Sequence, residues 1–298
     1  MAAPFTTGSA AELLVPGLGT VFFNAYAERE PQWSKFLNRK TSKRNFEEDL
    51  EMASFGSMPV KPEGGPIQFQ VPVQGTKRRY THVTYGLGYR VTEEMMEDDL
   101  YGPARKGAVG LGRSGRNVRE QVGANVLALG FTTELGFKSE ALFTTSHTLI
   151  RGGTSSNRAA TDEDLSVAGL ENALIIMRQQ RTEEGFPFVA VPRMLVCGSE
   201  LEFVAEELLG SPMRPDTANN AINPLNRRGI NWMVSDYLPD TDSWFVLADM
   251  HDLNMIIRRE VVFQGGDDFD SGDVKLKSTQ RFSAGHGDWR GTFGSLGA

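Results

Sequence analysis

Apolar side chains recur at three- and four-residue spacing from residue 92 to about residue 135. The repeating positions are Leu111, Val118, Val122, Val126 and Leu129. This spacing predicts one face of a long helix, and the charged residues Arg119 and Glu120 fall on its other faces. A continuous helix of this length would span roughly 60 Å at about 1.5 Å per residue. Thr92 is a candidate N-cap, and Pro103 should kink or interrupt the helix near its start.

Glycines are frequent along the same stretch, which lowers its intrinsic helix stability. A glycine-rich helix must be held by its neighbours, and small residues let a neighbouring backbone come close. We therefore interpret this helix as a spine on which other layers lie.

A period-two pattern predicts a long β-hairpin over residues 56–91. Apolar and polar residues alternate from 64 to 75, and a second alternating run covers 77–92. The turn is expected near Gly75 and Thr76, and Pro72 would place the first strand at a sheet edge. Because an isolated hairpin with one apolar face is unstable, we expect it to lie on a partner subunit.

Residues 1–45 have the composition of an extended arm with one short helix at 20–26. Aromatic anchors at Phe22, Phe23 and Tyr26, and a second group around Trp33, cannot build a core of their own. They must dock either on the body of the chain or on a neighbouring subunit. Residues 39–51 then switch from basic to acidic, which indicates either a solvated segment or a charged surface that meets another subunit.

The second half of the chain predicts a mixed α/β arrangement. A helix is expected over 165–181, capped by Asp162 or Asp164, and another after Ser199. Strands are expected over 189–199, 230–238, 243–249 and 254–264, followed by two closing strands between 274 and 295.

Composition excludes several classes of protein. The chain has 298 residues, a net charge of −7 and one cysteine, Cys197. An intrachain disulfide and a cysteine-based zinc site are excluded, and the charge argues against a general nucleic-acid coat. The N-terminus lacks the features of a secretory signal, and no apolar run reaches the ~20 residues of a membrane span.

Motifs for catalysis are missing from the sequence. It contains no phosphate-binding loop, nucleophile elbow, zinc-protease helix or dinucleotide fingerprint. The four histidines, His82, His147, His251 and His286, are widely separated and are interpreted as structural. We therefore predict no catalytic residue, cofactor or metal site, and no enzyme activity.

Four segments of the chain carry a family resemblance: YTHVTYGLGYRVTEEMMEDDLYG (80–102), ALFTTSHTLIRGGTSSN (141–157), DLSVAGLENA (164–173) and YLPDTDSWFVLAD (237–249). They resemble the Mu-type major head subunits among the tailed-phage major capsid proteins of the Hong Kong 97-type fold. The order of arm, hairpin, spine helix and mixed domain agrees with that α+β fold. The resemblance covers most of the chain, from Leu13 to the C-terminus.

The resemblance implies a division of the chain into five parts. These are an N-arm at 1–45, an E-loop hairpin at 46–91, a P-domain with the spine helix at 92–199, an A-domain at 200–262, and a C-terminal return into the P-domain at 263–298.

The resemblance also implies that copies of the chain form hexamers and pentamers of an icosahedral shell. This shell would enclose double-stranded DNA and contact it weakly and without sequence specificity. The portal protein, a separate scaffold protein and a possible decoration protein are the other implied partners. The protein would be located in the virion, after assembly in the host cytoplasm, with no membrane involved. An encapsulin-like bacterial nanocompartment is the alternative within this fold, and an unrecognised hydrolase is a distant one.

Contacts between subunits are expected in the arm and in the hairpin. The candidate residues are Phe22, Phe23, Trp33, Arg44, Glu47, Glu48, Lys61, Ile67, Phe69, Lys77, Arg78 and Arg79. Lys61 and Lys77 would be the candidates for the covalent cross-link found in some family members, although the sequence indicates no partner for it.

Overall fold

The structure is a computed structural model that describes residues 7–92, 94–95, 101–133, 140–213, 222–268 and 272–298. Within these ranges the helices are α1 (Thr7–Tyr26), α2 (Trp33–Phe36), α3 (Tyr101–Ala128), α4 (Val167–Gln179) and α5 (Glu202–Gly210). The strands are β1 (Asn38–Thr41), β2 (Phe46–Ala53), β3 (Val73–Thr81), β4 (Val83–Val91), β5 (His147–Thr148), β6 (Thr154–Ser155), β7 (Pro192–Cys197), β8 (Asn231–Val234), β9 (Trp244–Ala248), β10 (Leu253–Asp267), β11 (Val274–His286) and β12 (Thr292–Ser295).

The predicted spine helix is α3, and it ends at Ala128, before the predicted end near residue 135. It has 28 residues, which correspond to about 42 Å, and a 3₁₀ turn at Leu129–Phe131 follows it. Pro103 lies in the first turn, where a helix tolerates proline. The Thr92 hydroxyl accepts a hydrogen bond from the Met95 backbone N–H at 3.4 Å, as an N-cap does. Residues 93 and 96–100, which would join this cap to α3, lie outside the described residues.

The N-terminal arm docks on the body of its own chain. Its helix α1 is longer than the predicted segment 20–26 and packs along α3. At Gly112 an added Cβ would lie 2.6 Å from the Phe22 carbonyl oxygen, and at Gly123 it would lie 2.7 Å from the Trp33 Cβ. Gly112 and Gly123 of α3 therefore admit the backbone of α1 and the Trp33 side chain of α2, as the glycine-rich pattern predicts.

Two charged residues of α3 are buried, although the helical pattern places them away from its apolar face. The Glu120 carboxylate accepts the backbone N–H groups of Gln32 and Trp33 at 2.9 and 3.0 Å. Burial raises the pKa of Glu120 above its usual range, against the opposing effect of these two N–H groups. The Arg119 guanidinium donates hydrogen bonds to the Glu260 carboxylate and to the Gln280 side-chain oxygen. Glu120 therefore joins α2 to α3, and Arg119 joins β10 and β11 to α3.

Two four-stranded sheets form the body. The first has the order β1-β10-β11-β4, with β1 parallel to β10 and the other pairs antiparallel. The second has the order β12-β9-β7-β8 and packs with α4 and α5. One hydrophobic core joins the two sheets and α3, and it includes Val126 of α3, Phe245 of β9 and Phe282 of β11.

Two of the predicted domain boundaries do not separate independent cores. The boundary at 262/263 falls inside β10, which pairs with β11 along its length. The boundary at 199/200 falls between β7 and α5, and Leu195 and Ala205 of these elements lie in one core. The C-terminal segment also divides, because β11 joins the first sheet whereas β12 joins the second.

The predicted hairpin exists with a different first strand. Residues 54–72 form no regular strand, and β3 pairs antiparallel with β2 instead. Gly75 and Thr76 therefore lie inside a strand, so the predicted turn there is wrong. Prolines at 66 and 72 interrupt the alternating run at 64–75, whereas β2 offers acidic residues opposite the basic residues of β3.

The rest of the second half follows the predicted pattern. Strands β7 to β11 and helices α4 and α5 fall within or close to the predicted segments. The N-cap of α4 is Ser166, whose hydroxyl accepts from the Gly169 N–H, so capping by Asp162 or Asp164 is wrong. Cys197 is buried at the end of β7, and His147 stacks on Trp289 with 3.9 Å between ring centroids.

Candidate subunit interface

The loop that joins β2 to β3, residues 54–72, exposes an unusual set of large apolar side chains. They are Phe55, Met58, Val60, Ile67, Phe69 and Val71. Met58 is 96% exposed and Phe69 is 93% exposed, which is close to their exposure in an unfolded chain. Contiguous exposed apolar surface of this kind marks interaction sites in folded proteins.

The two arms of this loop face each other across an apolar cleft of about 550 Å³. Phe55, Met58, Ile67 and Phe69 are among the residues that line it. The chain turns back at Gly64, which has a φ of 73° that favours glycine. Prolines at 59, 62, 66 and 72 each remove a backbone donor and disfavour strand pairing, and the loop forms no regular strand that could bury its apolar groups.

The outer face of the hairpin is also partly apolar. Phe46, Leu50 and Met52 project from this face of β2 and are all exposed. Across the strands, Arg79 forms an ion pair with Glu48 at 2.7 Å, and its guanidinium lies 4.1 Å from the Phe46 ring centroid. The opposite charges of Glu48 and Arg79 balance each other on this face, so its exposed apolar side chains are the groups that a partner could contact.

The inner face packs on the first sheet at the base of the hairpin. Tyr80 is buried, and burial raises the pKa of its hydroxyl well above the usual range. Arg78 is half-buried, with its guanidinium 5.3 Å from the Tyr80 ring centroid, and burial lowers its pKa. Arg78 thus supports the base of the hairpin within its own subunit, and its contact with another subunit stays a prediction.

The predicted interface residues divide into surface and core. Phe23, Arg44, Glu48, Lys61, Ile67, Phe69, Lys77 and Arg79 are exposed, and Glu47 is half-buried. Phe22 and Trp33 are corrected, since both are buried within their own chain. Phe22 stacks on Phe263 of β10 at 5.0 Å between centroids, and Trp33 packs against Gly123 of α3.

The charged segment 39–51 has much of its complement within the subunit. Its acidic residues lie in β2, which pairs with β3 and its basic residues in the same chain. Arg39 and Lys40 lie in β1, which pairs with β10, and they form ion pairs with Glu260 and Asp252. Contact of this segment with another subunit stays a prediction.

Sequence reasoning missed four residues of the exposed loop as interface candidates. They are Phe55, Met58, Val60 and Val71. Their signal is visible in the sequence, because apolar residues alternate with proline, glycine and serine over 54–62. Such a pattern fits neither a helix nor a strand that could bury them.

Among the residues that the structure describes, no helix is both long and apolar enough to cross a bilayer. In the same ranges, no three His, Cys, Asp or Glu side chains gather as a metal ion would require.

Known structures with a similar fold are capsids and particle shells. The crystal structure of a virus-like particle from Pyrococcus furiosus matches with a TM-score of 0.56 and 11% identity, covering 93% of this chain and 97% of that chain. The Mycobacterium phage Patience structure matches with a TM-score of 0.57 and 10% identity, covering 93% and 84%. The capsid of Myoviridae phage XM1 matches with a TM-score of 0.55 and 9% identity, covering 88% and 89%. The fold is therefore the α+β Hong Kong 97-type fold.

Sequence comparison identifies the family. No curated protein matches the chain. The model of the family described as phage capsid protein matches residues 75–294, from within β3 to β12. Because this match spans most of the chain, the protein belongs to the phage capsid protein family and is a capsid shell protein.

Proposed function

We propose that copies of this protein assemble into hexamers and pentamers of an icosahedral head shell, and that the loop 54–72 contacts a neighbouring copy. The observation that carries the proposal is the exposed apolar set of this loop in a chain of the phage capsid family. The loop has no partner of its own inside the subunit for Met58, Val60 or Phe69, so a second copy is the expected occupant.

The energetics favour this arrangement. Complete burial of a Val, Phe or Met side chain contributes about 1.5–3 kcal/mol. Met58, Val60, Phe69 and Val71 retain most of this contribution, because each is more than three-quarters exposed in the subunit. Since a shell repeats the contact around every capsomer, a modest free energy per loop stabilises the whole particle.

The remaining partners belong to the same proposal. The shell encloses double-stranded DNA, whose contact with a subunit of net charge −7 is weak and non-specific. A portal protein, a separate scaffold protein and a possible decoration protein complete the particle, which assembles in the host cytoplasm. In this proposal the subunit is a structural component without enzyme activity, and the Mu-type branch stays a prediction.

The domain division stays part of the proposal in a modified form. The N-arm covers 1–45, and the projecting E-loop comprises β2, β3 and the loop between them. β4 belongs with the first sheet, because it pairs with β11 along its length. Particle contents distinguish a phage head from the encapsulin-like alternative, since the first holds DNA and the second a protein cargo.

Replacement of the exposed apolar residues tests the proposal. The double variant Met58→Ser with Phe69→Ser should keep the wild-type far-ultraviolet circular dichroism and unfolding midpoint, because neither side chain is packed in the subunit. Electron microscopy should show loss of particles under conditions in which the wild type assembles. Gln68→Ser, in the same loop, is the matched control and should assemble normally. Normal shells from the double variant would contradict the proposed role of the loop.

A further inference from the structure

Helix α5 presents an exposed aromatic ring on its outer face. Its inner face is buried in the core through Ala205, Leu208 and Leu209. Phe203 lies away from this core and is 77% exposed. A single exposed ring is common on protein surfaces, so the groups around it decide whether it marks a contact.

The side chains next to Phe203 are acidic. Glu206 and Glu207 follow it by three and four residues, which places them beside it on the same face of α5. Both are exposed, and within the described part of the chain neither forms an ion pair. They lie in the second half of the helix, where the helix dipole favours positive charge. The stability of α5 therefore does not account for them, and the ring lies in an unbalanced negative surface.

A groove of complementary character opens between α4 and residues 224–228. Its apolar walls are formed by Leu174, Ile175, Pro224 and Leu225, and its volume is about 200 Å³. We call it the α4 groove. A cavity of about 150 Å³ accommodates a benzene molecule, so one aromatic ring fits into this groove.

The rim of the α4 groove is mainly basic. Arg178 and Arg228 are exposed there, and neither takes part in an ion pair among the residues that the structure describes. Glu171, also at the rim, has an interaction within its own subunit. The groove thus combines apolar walls with two guanidinium groups, which matches an aromatic ring flanked by carboxylates.

The ring and the groove belong to the same half of the subunit but lie at different places on it. α5 packs beside β8 and α4 packs beside β12, and these are the two edge strands of the second sheet. Phe203 does not line the α4 groove of its own chain. Two copies can therefore meet with the ring of one in the groove of the other.

We propose that Phe203 of one copy inserts into the α4 groove of a neighbouring copy. Glu206 and Glu207 then face the guanidinium groups at the rim of that groove. The contact is heterologous, because two different surfaces meet, so each copy gives one ring and receives one, and a closed series of copies forms a ring. This inference rests on the proposed shell function, in which hexamers and pentamers are such rings, and it adds a contact separate from the loop of the β2–β3 hairpin.

Truncation of the aromatic side chain tests the apolar part of the contact. Phe203→Ser should keep the wild-type far-ultraviolet circular dichroism and unfolding midpoint, because the ring is exposed in the subunit. Light scattering should show that particle formation needs a protein concentration at least about tenfold higher, as expected for loss of an aromatic anchor at an interface. Phe203→Leu still fills the groove and should assemble close to the wild-type concentration.

Charge exchange tests which two surfaces meet. One variant carries Glu206→Arg with Glu207→Arg, and the other carries Arg178→Glu with Arg228→Glu. Alone, each variant brings like charges together at every contact and should form no rings in native mass spectrometry. Mixed in equal amounts, the two variants pair opposite charges at every contact and should form rings again. Strict alternation closes only with an even number of copies, so the mixture should give sixfold rings and no fivefold rings.

Rescue in the mixture separates a contact between copies from an effect on folding, because neither chain changes when the two are mixed. Assembly of Phe203→Ser at the wild-type concentration would overturn the proposal, and so would two folded charge variants that stay monomeric when mixed.

The loop variant Met58→Ser with Phe69→Ser distinguishes this contact from the proposed function. Loss of particles in the loop variant, with normal particles in Phe203→Ser, would overturn the Phe203 contact and leave the proposed function intact. Wild-type protein that forms no shell would contradict the proposed function, whereas rings in the mixture of charge variants, and in neither variant alone, would still support the Phe203 contact.

Discussion

The α1–α3 pair and the β2–β3 hairpin are both rich in glycine and apolar residues, but they bury them in opposite ways. In the first pair Phe22 is fully buried against the body of the chain. In the hairpin the loop residue Phe69 is almost fully exposed. The helical layer thus contributes buried apolar contacts to the subunit, whereas the apolar groups of the loop are available to another copy.

Local backbone geometry explains this difference. In α3 the glycines lie on a regular helix, so several of them open a site of fixed shape for a neighbour, such as the backbone of α1 at Gly112. In the loop, glycine and proline disfavour regular structure, so its apolar residues line an open cleft and are not buried in a core. The same residue types therefore assist internal packing in one region and prevent it in the other.

Replacement of the two neighbouring phenylalanines of α1 by alanine should give the largest difference in stability between two variants. Phe22→Ala removes a fully buried ring and should lower the free energy of unfolding by about 3–5 kcal/mol. Phe23→Ala removes a half-exposed ring and should cost about 1 kcal/mol or less. Chemical denaturation of both variants measures the difference. Equal costs would show that α1 does not dock on its own subunit.

Two glycines of α3 allow a second comparison, because an added methyl group meets a neighbour at only one of them. Gly112→Ala places a Cβ 2.6 Å from the Phe22 carbonyl oxygen, so α1 must move, at a cost of about 1–3 kcal/mol. At Gly110 no atom lies within 4 Å of the added Cβ. Gly110→Ala should therefore raise the free energy of unfolding by up to about 1 kcal/mol through helix propensity. A loss of stability in both variants would contradict the close approach of α1.

The charge pair of the hairpin should have the smallest effect. Glu48 and Arg79 are exposed, so a double-mutant cycle with Glu48→Gln and Arg79→Gln should give a coupling of about 0.2–1 kcal/mol. The coupling should decrease with added salt, as expected for a surface ion pair. A much larger value would indicate that the outer face of the hairpin is covered in the free subunit.

The sequence predicted elements well where a single period or a continuous apolar run decides the structure. Strands β7 and β9 are such runs, and α4 has clear helical spacing. The helix α1 was predicted only at 20–26 because Pro16, Gly17 and Gly19 are typical of a break. Packing on α3 stabilises the longer helix, and that contact is distant in sequence.

The hairpin and the buried charges show what local patterns could not decide. The alternating run at 64–75 satisfies a strand pattern, but Pro66 and Pro72 each remove a backbone donor that a paired strand would use. The correct partner β2 could have been chosen by its acidic residues, which match the basic residues at 77–79. No local signal indicates that Glu120 is buried, because its partners are the N–H groups of Gln32 and Trp33, almost 90 residues away.

Oxidative footprinting of Met58 in the free subunit and in assembled particles tests the central claim most directly. Met58 is 96% exposed in the subunit, and Met177 is fully buried in the same chain. If the loop 54–72 seats on a neighbouring copy, the oxidation rate of Met58 in particles should fall close to that of Met177. A Met58 rate in particles equal to that of the free subunit would contradict the account.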